Sequence, residues 1–412
     1  MSVRLVTEHE LVSQFGSLPL AEPRVVTSGN FATPARLVSL LDAAVENYRL
    51  FVLNAQGSLP DRDGVVYETP FVGPAMRGHE RLDYLPMRLS LVPRLFAVAR
   101  APDVVLLHTS TPRSGKVSLG IEVNILPAAI EQTRANGGLV VAQCNPRMPY
   151  TYGDGELDVD AIDLAFESEE DLPLPSRREV GDTTMAIAEG VASLVGDGST
   201  LQVGIGEVPD AVVGLLRRRR ELRVWTEAMS DGVLALDRAG ALDPSREVTA
   251  TFLFGSEDLY AWVDGNERIR MLRTETVNDP SRIATHDAMC SLNAALQVDL
   301  WAQANASYVR GGIHSGFGGQ PDFVVGALHS RGGQAIISLP SWHGKSGTST
   351  IVGLLDVPAT SFQHSVVVTE QGCARIFGRS QRAQARLLIE ETAHPDARAA
   401  LWEVAGRIGR HS

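Results

Sequence analysis

The chain has few of the residues that metal chemistry and disulfide scaffolds require. Its 412 residues hold three cysteines, Cys144, Cys290 and Cys373. They are far apart and form no C-x-x-C pair, which excludes a disulfide framework and a zinc knuckle. There is no H-E-x-x-H run and no close Cys/His cluster, so no metal site is expected. The absence of G-x-S-x-G removes the usual serine hydrolase elbow. Long apolar runs are missing as well. No stretch approaches the roughly 18 apolar residues of a membrane span. The opening MSVRLVTEHELVSQFG lacks the apolar core of a leader peptide. Positive charge is scarce: 37 Lys and Arg against 49 Asp and Glu leave a net charge of −12. That balance opposes general binding to nucleic acid or anionic membrane, so an anionic ligand needs local donors. A cytoplasmic protein without nucleic-acid or membrane partners is expected.

What is present is globular. Apolar residues make up 44% and charged residues 21%, which allows a substantial core. The length exceeds what one ordinary core fills, and two domains are expected, 1–175 and 176–412, joined through the acidic stretch 154–175. Short apolar strands at 24–26, 49–53, 103–107 and 139–142 alternate with helical patterns such as 34–41 and 91–99, as in a parallel α/β sheet. Residues 57–86 carry Pro60, Pro70, Pro74 and Pro86. They read as an irregular binding or interface segment.

The second half is organised around 201–232, LQVGIGEVPDAVVGLLRRRRELRVWTEAMSDG. Leu201 to Val203 reads as a strand, Gly204-Ile205-Gly206 as a turn, and the following run, with Glu207 or Asp210 in its first turn, as a helix. Residues 222–225 form a second strand that ends in Thr226-Glu227. Ligands of open α/β sheets bind at that carboxyl edge. A third glycine of the dinucleotide fingerprint is replaced by Pro209, so a tight turn fits Gly204 and Gly206 better than a nicotinamide site. Ser315-Gly316-Phe317-Gly318-Gly319-Gln320 exposes successive N–H groups that can form an oxyanion hole or a plain surface turn. Gly344-Lys345-Ser346 resembles the end of a Walker loop, but Leu339 stands where that loop needs glycine. A second strand-end glutamate, Glu370, follows Thr369. Either glutamate can be a solvated cap or a nucleophile.

Taken in order, NPRMPYTYGDGELDVDAID, GIGEVPDAVVGLL, WTEAMSDGV, FLFGSEDLYAWVDGN, NDP, SLNAALQVDL, SGFGGQPDF, VVVTEQGCARIFG and AHPDAR resemble the acetyl-CoA hydrolase/transferase family, class I CoA-transferases that include 4-hydroxybutyrate CoA-transferases. The resemblance implies two similar open α/β/α domains, a homodimer, and an acyl-CoA site mainly in the second domain. Coenzyme A would enter as a thioester substrate, with no permanently bound cofactor and a small carboxylate as acceptor. Glu227 matches the family's catalytic glutamate. Gly204, Ile205, Gly206, Gly316, Gly318, Gly319 and Gln320 are the oxyanion and CoA contacts it implies, Lys345 is a candidate for a CoA phosphate, and Glu370 reads as structural.

The implied reaction is covalent transfer through a glutamyl-CoA thioester. Acyl-CoA hydrolysis by the same glutamate, and a diverged acyl-CoA-dependent acyltransferase or binding protein, are the alternatives. Four positions depart from the family pattern: Trp225 before Thr226, Ala302 where glycine is usual, and Thr350 and Ser361 where arginines are usual. These departures bear on the acceptor.

Overall fold

The computed structural model describes residues 4–176, 180–359 and 364–406. The chain clusters into two compact units, one of residues 1–175, 249–277 and 313–318, the other of residues 176–248, 278–312 and 319–412. A single cut after residue 175 therefore misses two returns of the chain to the first unit. Backbone pairing is the physical reason for the longer one. Strand Ile269–Met271 pairs in parallel with Tyr152–Gly153, and the Leu253 N–H donates to the Ile121 carbonyl at 2.9 Å.

The first unit holds a seven-stranded sheet in the order Leu164–Glu167, Leu139–Cys144, Val104–Thr109, Arg24–Thr27, Tyr48–Phe51, Val65–Thr69 and Leu82–Tyr84. Every neighbouring pair is parallel. Strands covered on both faces become continuous apolar runs, and all six residues of Val104–Thr109 are buried. Helix Ala35–Ala44 follows Pro34 and buries Leu37, Val38, Leu40 and Leu41 against a core that includes Tyr48, Tyr67 and Phe15. Helix Leu126–Ala135 was not anticipated, although Pro127 at its start is an ordinary helix-opening signal.

The segment 57–86 is not irregular throughout. It contributes the strands Val65–Thr69 and Leu82–Tyr84, both paired in parallel. Its prolines lie outside those strands, where no ladder N–H is required. Pro74 opens the short turn Pro74–Met76. The acidic stretch 154–175 likewise supplies an edge strand, Leu164–Glu167, to the sheet.

Glu68 stands in strand Val65–Thr69 with no exposure to solvent. Its carboxylate meets Arg24 at 2.9 Å, Arg49 at 3.2 Å and the guanidinium of Arg100. Three cations compensate the cost of burying one anion, and removing the anion leaves them facing one another.

In the second unit the strands run Gly372–Arg375, Val366–Thr369, Gln334–Ser338, Met289–Ala294, Thr200–Val203 and Arg223–Trp225. All neighbours are parallel except the edge strand Gly372–Arg375. The order reverses between Met289–Ala294 and Thr200–Val203, so the crevice rule places ligands beyond Val203. Leu300, Ile337, Val367, Leu388 and Ile389 belong to the apolar core of this unit. Among the described residues no helix is long and apolar enough to cross a membrane.

Replacing Glu68 with Ala should lower unfolding free energy by about 3 kcal/mol, the low end for a broken buried ion pair because the arginines keep some water contact. Guanidinium denaturation checks this, and an unchanged midpoint would show that the cluster contributes nothing.

Candidate active site

Strand Thr200–Val203 ends at Gly204, whose N–H donates to the Leu292 carbonyl at 3.2 Å. Ile205 follows, partly exposed. Gly206 then takes φ 128°, a conformation essentially reserved for glycine, and begins helix Glu207–Leu215. Both Glu207 and Asp210 fall in that helix's first turn. Of this turn, Gly204 has its N–H committed to the fold and is not available to an oxyanion.

The adjacent parallel strand Arg223–Trp225 carries the chain into Thr226. The buried Thr226 hydroxyl accepts from the Val203 N–H at 3.2 Å and lies 2.9 Å from the Ala228 carbonyl. These bonds hold the backbone on either side of the turn and aim the next side chain, Glu227.

Three groups of the second unit act on that carboxyl group, two of them through hydrogen bonds. Asn278 donates from Nδ2 to Glu227 Oε2 at 2.5 Å. Gly319, which caps helix Gln320–His329, hydrogen-bonds it through the backbone N–H. Asp322, one turn into the helix, acts on it electrostatically. Burial pushes the Glu227 pKa up to about 7. The Asn278 and Gly319 donors oppose that rise, and the Asp322 charge adds to it. The residue as a whole keeps some surface exposure while protein encloses its carboxyl group.

Gly319 has a steric necessity. A Cβ there would stand 2.0 Å from Glu227 Oε2 and 2.2 Å from Asn278 Nδ2. No side chain fits without displacing the carboxylate.

The other residues of the glycine run have different surroundings. Gly316 belongs to the first unit, where a Cβ would meet the Pro70 carbonyl at 2.3 Å. Gly318, at φ 56°, accepts at its carbonyl from the Leu89 N–H at 3.1 Å. Close backbone packing explains Gly316, and the positive φ explains Gly318. Gln320 reaches the Ala294 carbonyl at 3.4 Å from Nε2. Lys345 lies on the exposed tip of the hairpin Trp342–His343 and Thr348–Ser349, and Trp342 stacks on His394 with centroids 4.5 Å apart.

Glu370 shares the Thr-Glu pattern but not the environment. Burial pushes its pKa upward, and the Ser341 N–H at 2.7 Å and the Ser341 hydroxyl outweigh that push and hold it below the ordinary value. It anchors a loop. Asn278 and Asp322 received no role from sequence, although both lie within runs that carry the resemblance. Asn278 is 51 residues beyond Glu227, and no local spacing links the two.

The departures have local accounts. Trp225 stacks on His286 with centroids 4.4 Å apart. Ala302 has φ 60°, which explains why glycine suits that position. Thr350 is buried and donates to the Pro340 carbonyl at 2.5 Å. Ser361 lies outside the described residues. Among the described residues no group of three or more His, Cys, Asp or Glu could hold a metal ion.

Open, parallel α/β sheets in two units, with a carboxylate at the carboxyl end of a strand and under a helix N-terminus, are a fold that this chain shares with solved CoA-transferases. The chain is similar over 98% of its length to RipA from Yersinia pestis, with a TM-score of 0.88, 26% identity and 97% of that chain covered. It is similar over the same share to a 4-hydroxybutyrate CoA-transferase from Porphyromonas gingivalis, with a TM-score of 0.81, 29% identity and 97% of that chain covered. Residues 255–405 match the acetyl-CoA hydrolase/transferase C-terminal domain. The 4-hydroxybutyrate coenzyme A transferase of Clostridium kluyveri is 36% identical over 421 residues, covering 97% of this chain and 96% of the relative. The chain belongs to the acetyl-CoA hydrolase/transferase family.

Gly319→Ala should reduce kcat/KM by about 100-fold or more while the protein stays folded, because it displaces a donor and the carboxylate together. Steady-state kinetics with circular dichroism tests this, and near-normal turnover would refute the contact. The Glu227 carboxyl also sets a pH signature. Its folded pKa of about 7 lies above its ordinary 4.5, so its contribution to stability is lost as pH rises through that window. Glu227→Gln should therefore raise Tm relative to the parent more at pH 8 than at pH 5. Equal shifts at both pH values would count against the raised pKa.

Proposed function

We propose that this enzyme moves CoA from an acyl-CoA to a small carboxylic acid, with Glu227 as the nucleophile. The observation that carries the proposal is the Glu227 carboxyl group held between Asn278 Nδ2 and the Gly319 N–H at the end of a parallel strand. A carboxylate whose pKa is raised to about 7 is more basic, and so more nucleophilic, than one in water, yet still ionised in part at neutral pH.

In this reading Glu227 attacks the thioester carbonyl, forming an acyl-glutamyl anhydride and releasing CoA thiolate. The thiolate attacks the Glu227 carbonyl, giving a glutamyl-CoA thioester and the donor's free carboxylate. The acceptor carboxylate then opens the thioester by the same two steps in reverse. Each addition to the Glu227 carbonyl places negative charge on a Glu227 oxygen. Asn278 Nδ2 already donates to Glu227 Oε2 and the Gly319 N–H to the same carboxyl group, so they would stabilise the charge with little reorganisation. Binding of the long CoA chain, remote from the reacting carbon, would supply part of the activation energy. Gly206, and Lys345 for a phosphate, remain candidate contacts to that chain. The reading includes a cytoplasmic homodimer, which light scattering at twice the chain mass would support.

Hydrolysis is the second reading. Thr350, tied to the Pro340 carbonyl, offers no cation to an acceptor carboxylate. Thiol release that ignores added carboxylates would favour hydrolysis, and release that depends on them would favour transfer.

Incubation with a panel of acyl-CoAs, followed by mass spectrometry, should show a hydroxylamine-labile CoA adduct on the peptide containing Glu227. Glu227→Ala should abolish the adduct and cut turnover at least about 1,000-fold. The kcat/KM profile should fall on the acid side below a pH of about 7, as Glu227 becomes protonated. A variant that keeps full transfer activity would remove Glu227 from the mechanism.

A further inference from the structure

We propose that Trp225 and His286 are positioning residues: their stacked rings fix segment 278–287 against the strand that carries Glu227 and so deliver the Asn278 amide to the Glu227 carboxyl group. The inference rests on Glu227 acting as the nucleophile with Asn278 as a donor, and adds the contact that holds the two in register.

The strand and the segment meet twice. Trp225 stacks on His286 with centroids 4.4 Å apart and planes inclined by 37°. Two residues past Trp225, Glu227 Oε2 accepts from Asn278 Nδ2 at 2.5 Å. Residues two apart in an extended chain leave the same face, so both side chains reach one neighbour while Thr226 between them turns to Val203.

The segment is braced between these contacts. Asp279 caps the short helix Pro280–Ile283 by accepting from the Ser281 N–H at 2.8 Å. Beyond it the Thr285 N–H donates to the Arg282 carbonyl at 3.0 Å and the His286 N–H to the Ile283 carbonyl at 3.2 Å. A shift of His286 is therefore passed on to Asn278 rather than absorbed between them.

On its other side the segment lies against helix Gln320–His329. Ile283 is fully buried there, and a Cβ on Gly326 would stand 2.5 Å from it. The hydroxyl of Ser330, which closes that helix, donates to the His286 carbonyl at 2.6 Å. These contacts tie the segment to the helix, and the stack ties it to the strand. Both stacked residues keep partial exposure, so the pair adds little core area and acts mainly on where the segment sits. Burial and the charges of Arg223 and Arg246 hold the His286 pKa below its ordinary value, so the ring stacks uncharged at neutral pH.

Asn278 opposes the rise of the Glu227 pKa and meets the charge that appears on a Glu227 oxygen during the reaction. A donor displaced by about 1 Å can cost about 100-fold in rate. Loss of the stack should therefore reach the chemistry through Asn278.

The test uses the full chain, with Trp225→Leu and His286→Ala to remove a ring and Trp225→Phe and His286→Phe to keep one. Circular dichroism selects the folded variants, and either ring-removing variant suffices. Measured are kcat, KM for acetyl-CoA, the acid-side midpoint of kcat/KM, and the CoA adduct by intact mass. Removing a ring should lower kcat about 10- to 100-fold with KM within about 3-fold, and raise the midpoint by about 0.5–1 unit as the Asn278 bond weakens. The ring-keeping variants should stay within about 5-fold of the parent. In an Asn278→Ala background the loss of a ring should add almost nothing. An equal further loss in that background, or ring-keeping variants as slow as the others, means general loosening and overturns the proposal. Parent-like kcat and midpoint without the ring overturn it while leaving Glu227 as nucleophile. Absence of the adduct in the parent overturns the nucleophile reading and this inference with it.

Discussion

The site depends on a contact that only a missing side chain permits. Helix Gln320–His329 brings its N-terminal N–H to the Glu227 carboxyl because Gly319 has no Cβ. The same close approach brings in Asn278 and encloses the carboxyl group, which raises its pKa. Strand order does the rest. Thr200–Val203 and Arg223–Trp225 are parallel neighbours, and Thr226 ties the end of one to the other. Glu227 therefore leaves the sheet at the edge where open α/β folds bind ligands.

Glu227 and Glu370 show how little a local pattern says about chemistry. Both follow threonine at the end of a parallel strand in the same unit. Glu370 finds two donors on Ser341 that overcome the effect of burial, and its proton is held weakly. Glu227 finds donors too, but burial and the Asp322 charge prevail. One carboxylate anchors a loop and the other is poised to change its protonation near neutral pH. The difference is made by residues remote in sequence from either motif.

Much of the sheet was legible because parallel strands buried on both faces must be apolar throughout, as in Val104–Thr109 and Leu139–Cys144. Proline misled where it flanks strands rather than breaking them. Val65–Thr69 and Leu82–Tyr84 sit between prolines and still pair in parallel. The division into units was hidden for another reason. Pairing of Ile269–Met271 with Tyr152–Gly153 joins stretches 118 residues apart in register, and the bond from the Arg273 N–H to Asp154 at 2.9 Å spans 119. No composition change marks either return.

The sequence by itself determined the α/β class, the Gly206 turn, the strand that ends in Thr226-Glu227 and, through the ordered motifs, the family. These are properties of short runs, where turn chemistry and hydrophobic periodicity act over a few residues. Tertiary structure decided which glycines serve the carboxylate. Gly319 touches Glu227, whereas Gly316 answers to backbone packing against Pro70 and Gly318 to its positive φ. It also brought Asn278 to Glu227, and the Asp322 charge within electrostatic reach of it. A carboxyl pKa depends on charges, donors and solvent within a few ångströms, and the folded backbone alone sets which residues those are.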